Sequence, residues 1–205
     1  MLNAKIAVMV SGGGTNLQQI LNAKEDGRLP HGDIAVVISD HDDAYALTRA
    51  AKHNVPSVVI QKKDCADKAE FEQRINQVLE QYNADLIVLA GFLTILSADF
   101  TARWPKKIIN VHPSLIPSFC GKGYYGLKVH EAALNYGVKV TGATVHFVNE
   151  IPDGGEIILQ KAVDILPGDT PEVLQKRVME QAEWVLLPRA VEILSKQIVE
   201  NREEE

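Results

Sequence analysis

Two polar side chains near the middle of the chain have the types and the spacing for acid–base chemistry. Asn110 and His112 are two residues apart and follow the apolar pair Ile108 and Ile109. If a strand continues through them, both side chains project from the same side of a sheet. An amide can donate a hydrogen bond to a developing oxyanion, and an imidazole can supply a proton or a positive charge. The pair is therefore predicted to act on a carbonyl carbon, as in acyl transfer.

Asp153 is the best candidate for a carboxylate that orients His112. It lies in the turn Pro152-Asp153-Gly154-Gly155, whose glycines would let the backbone approach other groups closely. Pro-Asp-Gly-Gly is also a common turn sequence, so a purely structural role for Asp153 stays open.

A glycine-rich loop at residues 11–16 leads from an apolar run into a helical pattern. Such a loop presents backbone N–H groups and the positive end of a helix dipole to an anion. The third glycine of a dinucleotide fingerprint would fall at Leu17, and no Gly-Lys-Ser/Thr follows to make an ATP loop. The loop is therefore predicted to hold a single phosphate, although a tight turn without a ligand is the alternative.

Another loop, at residues 91–96, follows the apolar run 86–90. Ligands of open α/β sheets bind beyond the carboxyl ends of strands, so this apolar loop is placed to hold a flat ring. Plain core packing explains the same residues equally well.

Covalent and metal-dependent chemistry find little support. Ser114, Ser118 and Cys120 lie near His112, but no G-x-S-x-G elbow and no cysteine-protease signature is present. The other histidines lack metal-ligand spacing, and no H-E-x-x-H occurs. We expect neither a nucleophile nor a metal.

The elements that must position these residues alternate along the chain. Strands are predicted at 5–10, 34–38, 58–60, 86–89, 138–147 and 157–163, and helices at 44–53, 68–82, 127–136 and from 171 onwards. Pro188 is expected to kink or divide the last helix. This alternation predicts an α/β fold with a Rossmann-like, predominantly parallel sheet and flanking helices.

Composition limits the kind of partner. At 205 residues and 46% hydrophobic content, the chain is expected to fold as a single domain, residues 1–205. A formal net charge of -6 argues against nucleic acid, and no apolar run approaches a membrane span. Two cysteines, Cys65 and Cys120, are expected to be free thiols. We expect a soluble cytoplasmic protein with small-molecule partners.

Four motifs together carry a resemblance that runs nearly from end to end. They are Ser-Gly-Gly-Gly-Thr-Asn-Leu at 11–17, Leu-Ala-Gly-Phe-Leu at 89–93, Asn-Val-His-Pro-Ser-Leu-Ile-Pro at 110–117 and Asp-Gly-Gly at 153–155. The chain resembles the glycinamide ribonucleotide formyltransferases, which belong to the folate-dependent formyltransferase family. The resemblance implies the formyltransferase fold, with a nucleotide-binding half at about 1–100, and a catalytic, folate-binding half with a mixed sheet and the C-terminal helix at about 101–205.

The resemblance also implies an activity. The formyl group of 10-formyltetrahydrofolate would pass to the amine of 5'-phosphoribosylglycinamide in purine (IMP) biosynthesis, without metal or ATP. Transfer would be direct, through a tetrahedral intermediate stabilised by Asn110 and a protonated His112, with Asp153 supporting the imidazolium. We expect a monomer or a weak homodimer.

Site residues are carried over by position. The catalytic residues would be Asn110, His112 and Asp153. The nucleotide substrate would be bound by Gly13, Gly14, Thr15, Asn16, Lys68 and Glu183. The folate would be bound by Leu89, Phe92, Leu93, Thr94, Ile95, Leu96, Asn110, Asn149, Glu150, Ile151, Pro152 and Asp153. Lys68 stands where relatives often carry an arginine that contacts the substrate phosphate, so the charge is kept and the bidentate fork is lost.

Three rivals stay open. Methionyl-tRNA formyltransferase shares the catalytic element but adds a basic C-terminal domain, and formyltetrahydrofolate deformylase adds an N-terminal regulatory domain. A non-catalytic nucleotide-binding domain would explain the glycine loop but not Asn110, His112 and Asp153.

Overall fold

The apolar runs of the chain form one sheet in the computed structural model, which describes residues 3–204. The strands are β1 (Ala4–Val10), β2 (Gly32–Ser39), β3 (Ser57–Val59), β4 (Leu86–Leu89), β5 (Ile108–His112), β6 (Val140–Phe147) and β7 (Ile157–Asp164). The helices are α1 (Thr15–Glu25), α2 (Tyr45–Lys52), α3 (Lys68–Gln81), α4 (Ala98–Arg103), α5 (Leu127–Tyr136), α6 (Pro171–Val178) and α7 (Trp184–Glu203). The predicted domain limits at residues 1 and 205 lie outside the described residues.

The strands are ordered β3-β2-β1-β4-β5-β6-β7. The first five are parallel to one another, whereas β6 is antiparallel to β5, and β7 is antiparallel to β6. The prediction of a Rossmann-like sheet that is mostly parallel, with a mixed C-terminal part, is confirmed.

Strand β1 shows why the sheet is covered on both faces. Its side chains alternate, so that Ile6 and Val8 belong to the core beneath α1 and α7, whereas Ala7 and Met9 belong to the core beneath α3. All four are fully buried, as a central parallel strand requires.

Two local features differ from the sequence-based expectation. Helix α4 was not predicted, because its six residues are too few to show a helical period; Ser97 caps it by accepting a hydrogen bond from the Phe100 N–H at 3.1 Å. The helix does not end at Pro188, since α7 runs through it, and the irregularity is a π-helical turn at Met179–Glu183. Pro188 is the fifth residue of α7, and the π-helical turn ends directly before this helix begins.

The topology brings three loops together. Strands β1, β4 and β5 are neighbours, and their carboxyl ends lead into the glycine loop, the 91–96 loop and the segment after His112. The chain order reverses beside β1, and ligands of open α/β sheets bind in the crevice at such a reversal. No helix within residues 3–204 is long and apolar enough to cross a membrane.

Candidate active site

The structure brings the three predicted catalytic residues together. Asn110 and His112 lie in β5, and Asp153 lies in the loop between β6 and β7. His112 Nδ1 is 3.5 Å from Asp153 Oδ2. One strand and one loop thus place an amide, an imidazole and a carboxylate in one cluster.

His146 joins this cluster, although the sequence analysis did not select it. In the antiparallel pair of β5 and β6 it lies opposite Asn110. Its Nε2 is 3.3 Å from Asn110 Nδ2 and 3.6 Å from Asp153 Oδ1, and its Nδ1 is 2.8 Å from the Phe147 carbonyl. Nδ1 is thus within hydrogen-bond distance of the Phe147 carbonyl, and Nε2 lies between the Asn110 amide and the Asp153 carboxylate. A histidine inside an apolar strand pattern is a sequence signal that could have selected His146. Its partner Asn110 follows only from the register of β5 and β6.

His112 is almost completely buried, and both of its ring nitrogens face acceptors. Nε2 is 2.9 Å from the Phe119 carbonyl, and Nδ1 faces Asp153. Burial lowers the pKa of His112, and the opposing effects of Asp153 and the Phe119 carbonyl do not fully offset it. Burial therefore favours the neutral imidazole in the resting protein. A proton that arrives during the reaction would be held between two acceptors.

Asp153 is held in an unusual backbone conformation, with a φ of 56°. Its Oδ2 accepts a hydrogen bond from the Gly121 N–H at 2.8 Å. Burial acts to raise the pKa of Asp153, but His146, His112 and the Gly121 N–H together lower it, so the carboxylate is ionised. Gly155 is required nearby, because a Cβ there would lie 1.7 Å from the Phe147 carbonyl oxygen.

The Ser114 hydroxyl and the Cys120 thiol, near His112, donate hydrogen bonds to backbone carbonyls of the loop that follows β5. Ser114 is fully buried and its hydroxyl donates to the Ser118 carbonyl at 2.6 Å. The Cys120 thiol donates to the Pro117 carbonyl at 3.3 Å, and burial followed by the Asp153 charge raises its pKa. A thiol with a raised pKa is a poor nucleophile at neutral pH. Cys65 and Cys120 are free, as expected.

The glycine loop turns into α1 at Gly14, whose φ is 68°. A Cβ at Gly14 would lie 2.6 Å from the Ala46 Cβ, so glycine is required there. Because glycine has no side chain to cap α1, the first N–H groups of the helix stay available to an anion. The Arg49 Nε donates to the Gly13 carbonyl at 2.8 Å and adds a positive charge beside the loop, which the sequence analysis missed.

Glu183 reaches this loop from the π-helical turn. The Asn16 amide donates to Glu183 Oε2 at 2.9 Å, and both residues are buried. Burial raises the pKa of Glu183, against the effect of the hydrogen bond from Asn16. Two residues predicted to bind the nucleotide, 167 positions apart in the chain, are therefore in direct contact.

Most of the predicted folate-binding residues line one cleft of about 130 Å³ that opens beside the catalytic cluster. The predicted residues along it are Leu89, Phe92, Ile95, Leu96, Asn110, Asn149, Glu150, Pro152 and Asp153. His146 and Val148 also line it and were not predicted. Leu93, Thr94 and Ile151 do not line this cleft.

Lys68 lies at a different cavity, of about 570 Å³, which it shares with Lys62, Leu93, Thr94 and Ile95. Its ammonium is 3.7 Å from a Glu72 carboxylate oxygen. Within residues 3–204, no residue of the glycine loop lines this cavity. The structure therefore places Lys68 beside the 91–96 loop and does not bring it together with the predicted phosphate loop.

Known proteins resemble this chain over nearly its whole length. The Haemophilus influenzae phosphoribosylglycinamide formyltransferase is 43% identical over 187 residues, which are 91% of this chain and 85% of that protein. The Bos taurus trifunctional purine biosynthetic protein adenosine-3 is 42% identical over 94% of this chain, but the chain spans only 18% of that longer protein. The crystal structure of glycinamide ribonucleotide transformylase 1 from Symbiobacterium toebii superposes with a TM-score of 0.89 at 39% identity, covering 95% of this chain and 89% of that one.

The corresponding enzyme from Geobacillus kaustophilus has a TM-score of 0.87 at 37% identity, over 94% of this chain and 99% of that one. A sequence model of the formyl transferase family matches residues 4–191. The chain therefore belongs to the formyl transferase family.

Proposed function

We propose that the protein transfers the formyl group of 10-formyltetrahydrofolate to the amine of 5'-phosphoribosylglycinamide. The products would be formylglycinamide ribonucleotide and tetrahydrofolate, as in de novo purine biosynthesis. The observation that carries the proposal is the contact of His112 Nδ1 with Asp153 beside Asn110, at the mouth of an apolar cleft. The names of the relatives from Haemophilus influenzae and Symbiobacterium toebii support the choice of substrate.

In the proposed complex, the two substrates enter from two sides of the crevice. The phosphate of the nucleotide lies on the N–H groups at Gly14 and Thr15, beside the positive charge of Arg49. The pteridine lies in the cleft beside Asn110. Holding an amine and a formyl carbon side by side contributes to the rate without activation by ATP. Neither metal nor ATP takes part, and the protein acts in the cytoplasm as a monomer or weak homodimer.

The proposed reaction is a direct transfer. The neutral amine attacks the formyl carbon, and the carbonyl π electrons move to the oxygen to give a tetrahedral oxyanion. An N–H of Asn110 stabilises that oxyanion. His112, neutral at rest, takes a proton from the attacking nitrogen, and Asp153 supports the resulting imidazolium. The same proton passes to N10 of the folate as the bond from carbon to N10 breaks, with water able to relay it.

Substitution of the two β5 residues tests the proposal. Asn110→Ala and His112→Ala should each lower kcat by about 100- to 1000-fold, since each removes stabilisation of the transition state. Asn201→Ala, on the exposed last turns of α7, is the control and should leave kcat unchanged. Rates close to that of the wild type in both β5 variants, with folding verified by circular dichroism, would sink the assignment.

The family resemblance, and not its position in the structure, is the ground for proposing that Lys68 contacts the substrate phosphate through its charge. Lys68→Met should then raise KM for the nucleotide more than KM for the formyl donor. Lys68 lies beside Leu93 and Thr94, which are predicted to bind the folate, so the two KM values decide which substrate Lys68 contacts. A larger increase in KM for the donor, or equal increases for both substrates, would remove Lys68 from the nucleotide site.

A further inference from the structure

The 91–96 loop lacks helix and strand, yet it must present a defined surface to a ligand. Two of its apolar side chains face solvent, with Leu93 66% exposed and Ile95 61% exposed. Burial of these side chains therefore does little to hold the loop in place. Phe92 and Leu96 are buried in the core beneath α3, so the exposed segment between them depends on polar contacts from elsewhere in the chain.

The first of these contacts comes from Ser11, at the end of β1. The Ser11 N–H donates to the Gly91 carbonyl at 3.2 Å, and the Ser11 hydroxyl oxygen accepts a hydrogen bond from the Leu93 N–H at 2.9 Å. Because Ser11 is buried, water competes poorly with its hydroxyl for the Leu93 N–H.

The second contact comes from Asp40, directly after β2. The Thr94 hydroxyl donates to Asp40 Oδ2 at 2.7 Å, and both residues are buried. The other carboxylate oxygen of Asp40 is 2.7 Å from His41 Nδ1. A hydrogen bond to an ionised carboxylate is stronger than one between neutral groups, so this link is a firm anchor.

We propose that Ser11 and Asp40 are positioning residues for the formyl donor, holding the 91–96 loop in its binding conformation without contacting the donor. This inference rests on the proposed function. Ser11 follows β1 and Asp40 follows β2, so the conformation of the donor loop depends on side chains at the carboxyl ends of two other strands. When only a fraction of the molecules holds the competent loop, the apparent affinity for the ligand falls by that fraction.

The inference predicts that loss of these contacts weakens binding of the donor and leaves the chemical step unchanged. Ser11→Ala and Asp40→Ala should each raise KM for 10-formyltetrahydrofolate by roughly tenfold, the factor that corresponds to one lost hydrogen bond of this kind. In Asp40→Ala, kcat at saturating donor and KM for the nucleotide should change less than twofold. Thr94→Val, which removes the same hydroxyl contact from the other side, should match Asp40→Ala, and Thr94→Ser should restore the lower KM.

Hydrogen exchange gives a readout that does not depend on turnover. The Leu93 amide should exchange at least about ten times faster in Ser11→Ala than in the wild type, because its acceptor is gone. Thr101→Val is the matched control, since Thr101 is a buried threonine whose hydroxyl donates at 3.0 Å to the Ala98 carbonyl within α4. It should leave both the exchange of residues 91–96 and KM for the donor as in the wild type.

The possible outcomes distinguish failure of the positioning role of Ser11 and Asp40 from failure of the proposed function. Unchanged Leu93 exchange in Ser11→Ala, or KM values for donor and nucleotide that rise equally in Asp40→Ala and Thr94→Val, would overturn the inference. If the wild type transfers no formyl group, the proposed function fails, and calorimetric titration of 10-formyltetrahydrofolate into the same variants replaces KM. Should one variant not fold, Thr94→Val with its Thr94→Ser partner carries the comparison.

Discussion

The behaviour of His112 depends on what surrounds its two ring nitrogens. Asp153 Oδ2 lies 3.5 Å from one, and the Phe119 carbonyl oxygen lies 2.9 Å from the other. Such a setting suits an imidazolium, while burial favours the neutral ring. A ring that starts neutral and is well accommodated when charged can both accept and release a proton during one turnover.

The pH dependence of the reaction should report this residue. Because burial lowers the pKa of His112 below the usual 6.5, its neutral form persists into mildly acidic solution. The proposed proton acceptor is lost when the ring is protonated, so kcat/KM should be level near pH 7 and fall only below about pH 6.5. Steady-state rates from about pH 5 to pH 8 give the profile. A rate that declines as the pH rises from 6 to 8 would show that the charged ring is the active form.

Asp153→Asn should lower kcat by at least about 100-fold, the usual order for loss of acid–base assistance. The amide has nearly the same shape but cannot stabilise a charged His112. Asp164→Asn, at the exposed end of β7 (Ile157–Asp164), is the control and should behave as the wild type. Steady-state rates would contradict the account if kcat of Asp153→Asn stayed within threefold of the wild type.

Helix α5 (Leu127–Tyr136) carries another buried histidine, His130, which the proposed reaction does not use. Neither ring nitrogen of His130 has a hydrogen-bond partner among residues 3–204. Burial, and then the His112 charge, lower the pKa of His130 to about 4. In the unfolded chain the ring has the usual pKa of 6.5, so the unfolded state binds the extra proton between these two values. Stability is therefore lost as the pH falls from about 6.5 towards 4.

His130→Leu should remove this sensitivity. From the two pKa values of His130, the free energy of unfolding of the wild type should fall by about 2 kcal/mol more than that of the variant between pH 7.5 and pH 5. Urea unfolding at both pH values measures the difference, and the pH 7.5 data serve as the internal reference for any packing change. Equal losses in the two proteins would show that His130 does not contribute to the acid sensitivity.

The elements were largely predictable from the sequence, whereas their contacts were not. Apolar runs identified β1, β2, β4 and β7 because buried parallel strands and alternating patterns are local signals. His146 was missed because its role depends on the antiparallel register that sets it opposite Asn110. The Phe119 carbonyl and the Gly121 N–H were missed because any residue type can supply a backbone group.

At the scale of the whole molecule, the proposed activity depends on the order of the strands in the sheet. Since β1, β4 and β5 are adjacent, the proposed anion-binding loop, the proposed ring-binding loop and the proposed catalytic pair meet at one edge of the sheet. Arg49, which donates to the Gly13 carbonyl, adds a positive charge beside the glycine loop. This arrangement fits two small substrates and accounts for the family resemblance.

Product analysis tests the central claim most directly. The purified protein is incubated with 5'-phosphoribosylglycinamide and 10-formyltetrahydrofolate, and the formylated nucleotide, tetrahydrofolate and free formate are quantified together. The account predicts equal amounts of formylglycinamide ribonucleotide and tetrahydrofolate, with formate at the level of a reaction without protein. Formate in place of the formylated nucleotide would identify a deformylase, and binding of both substrates without either product would contradict catalysis by Asn110, His112 and Asp153.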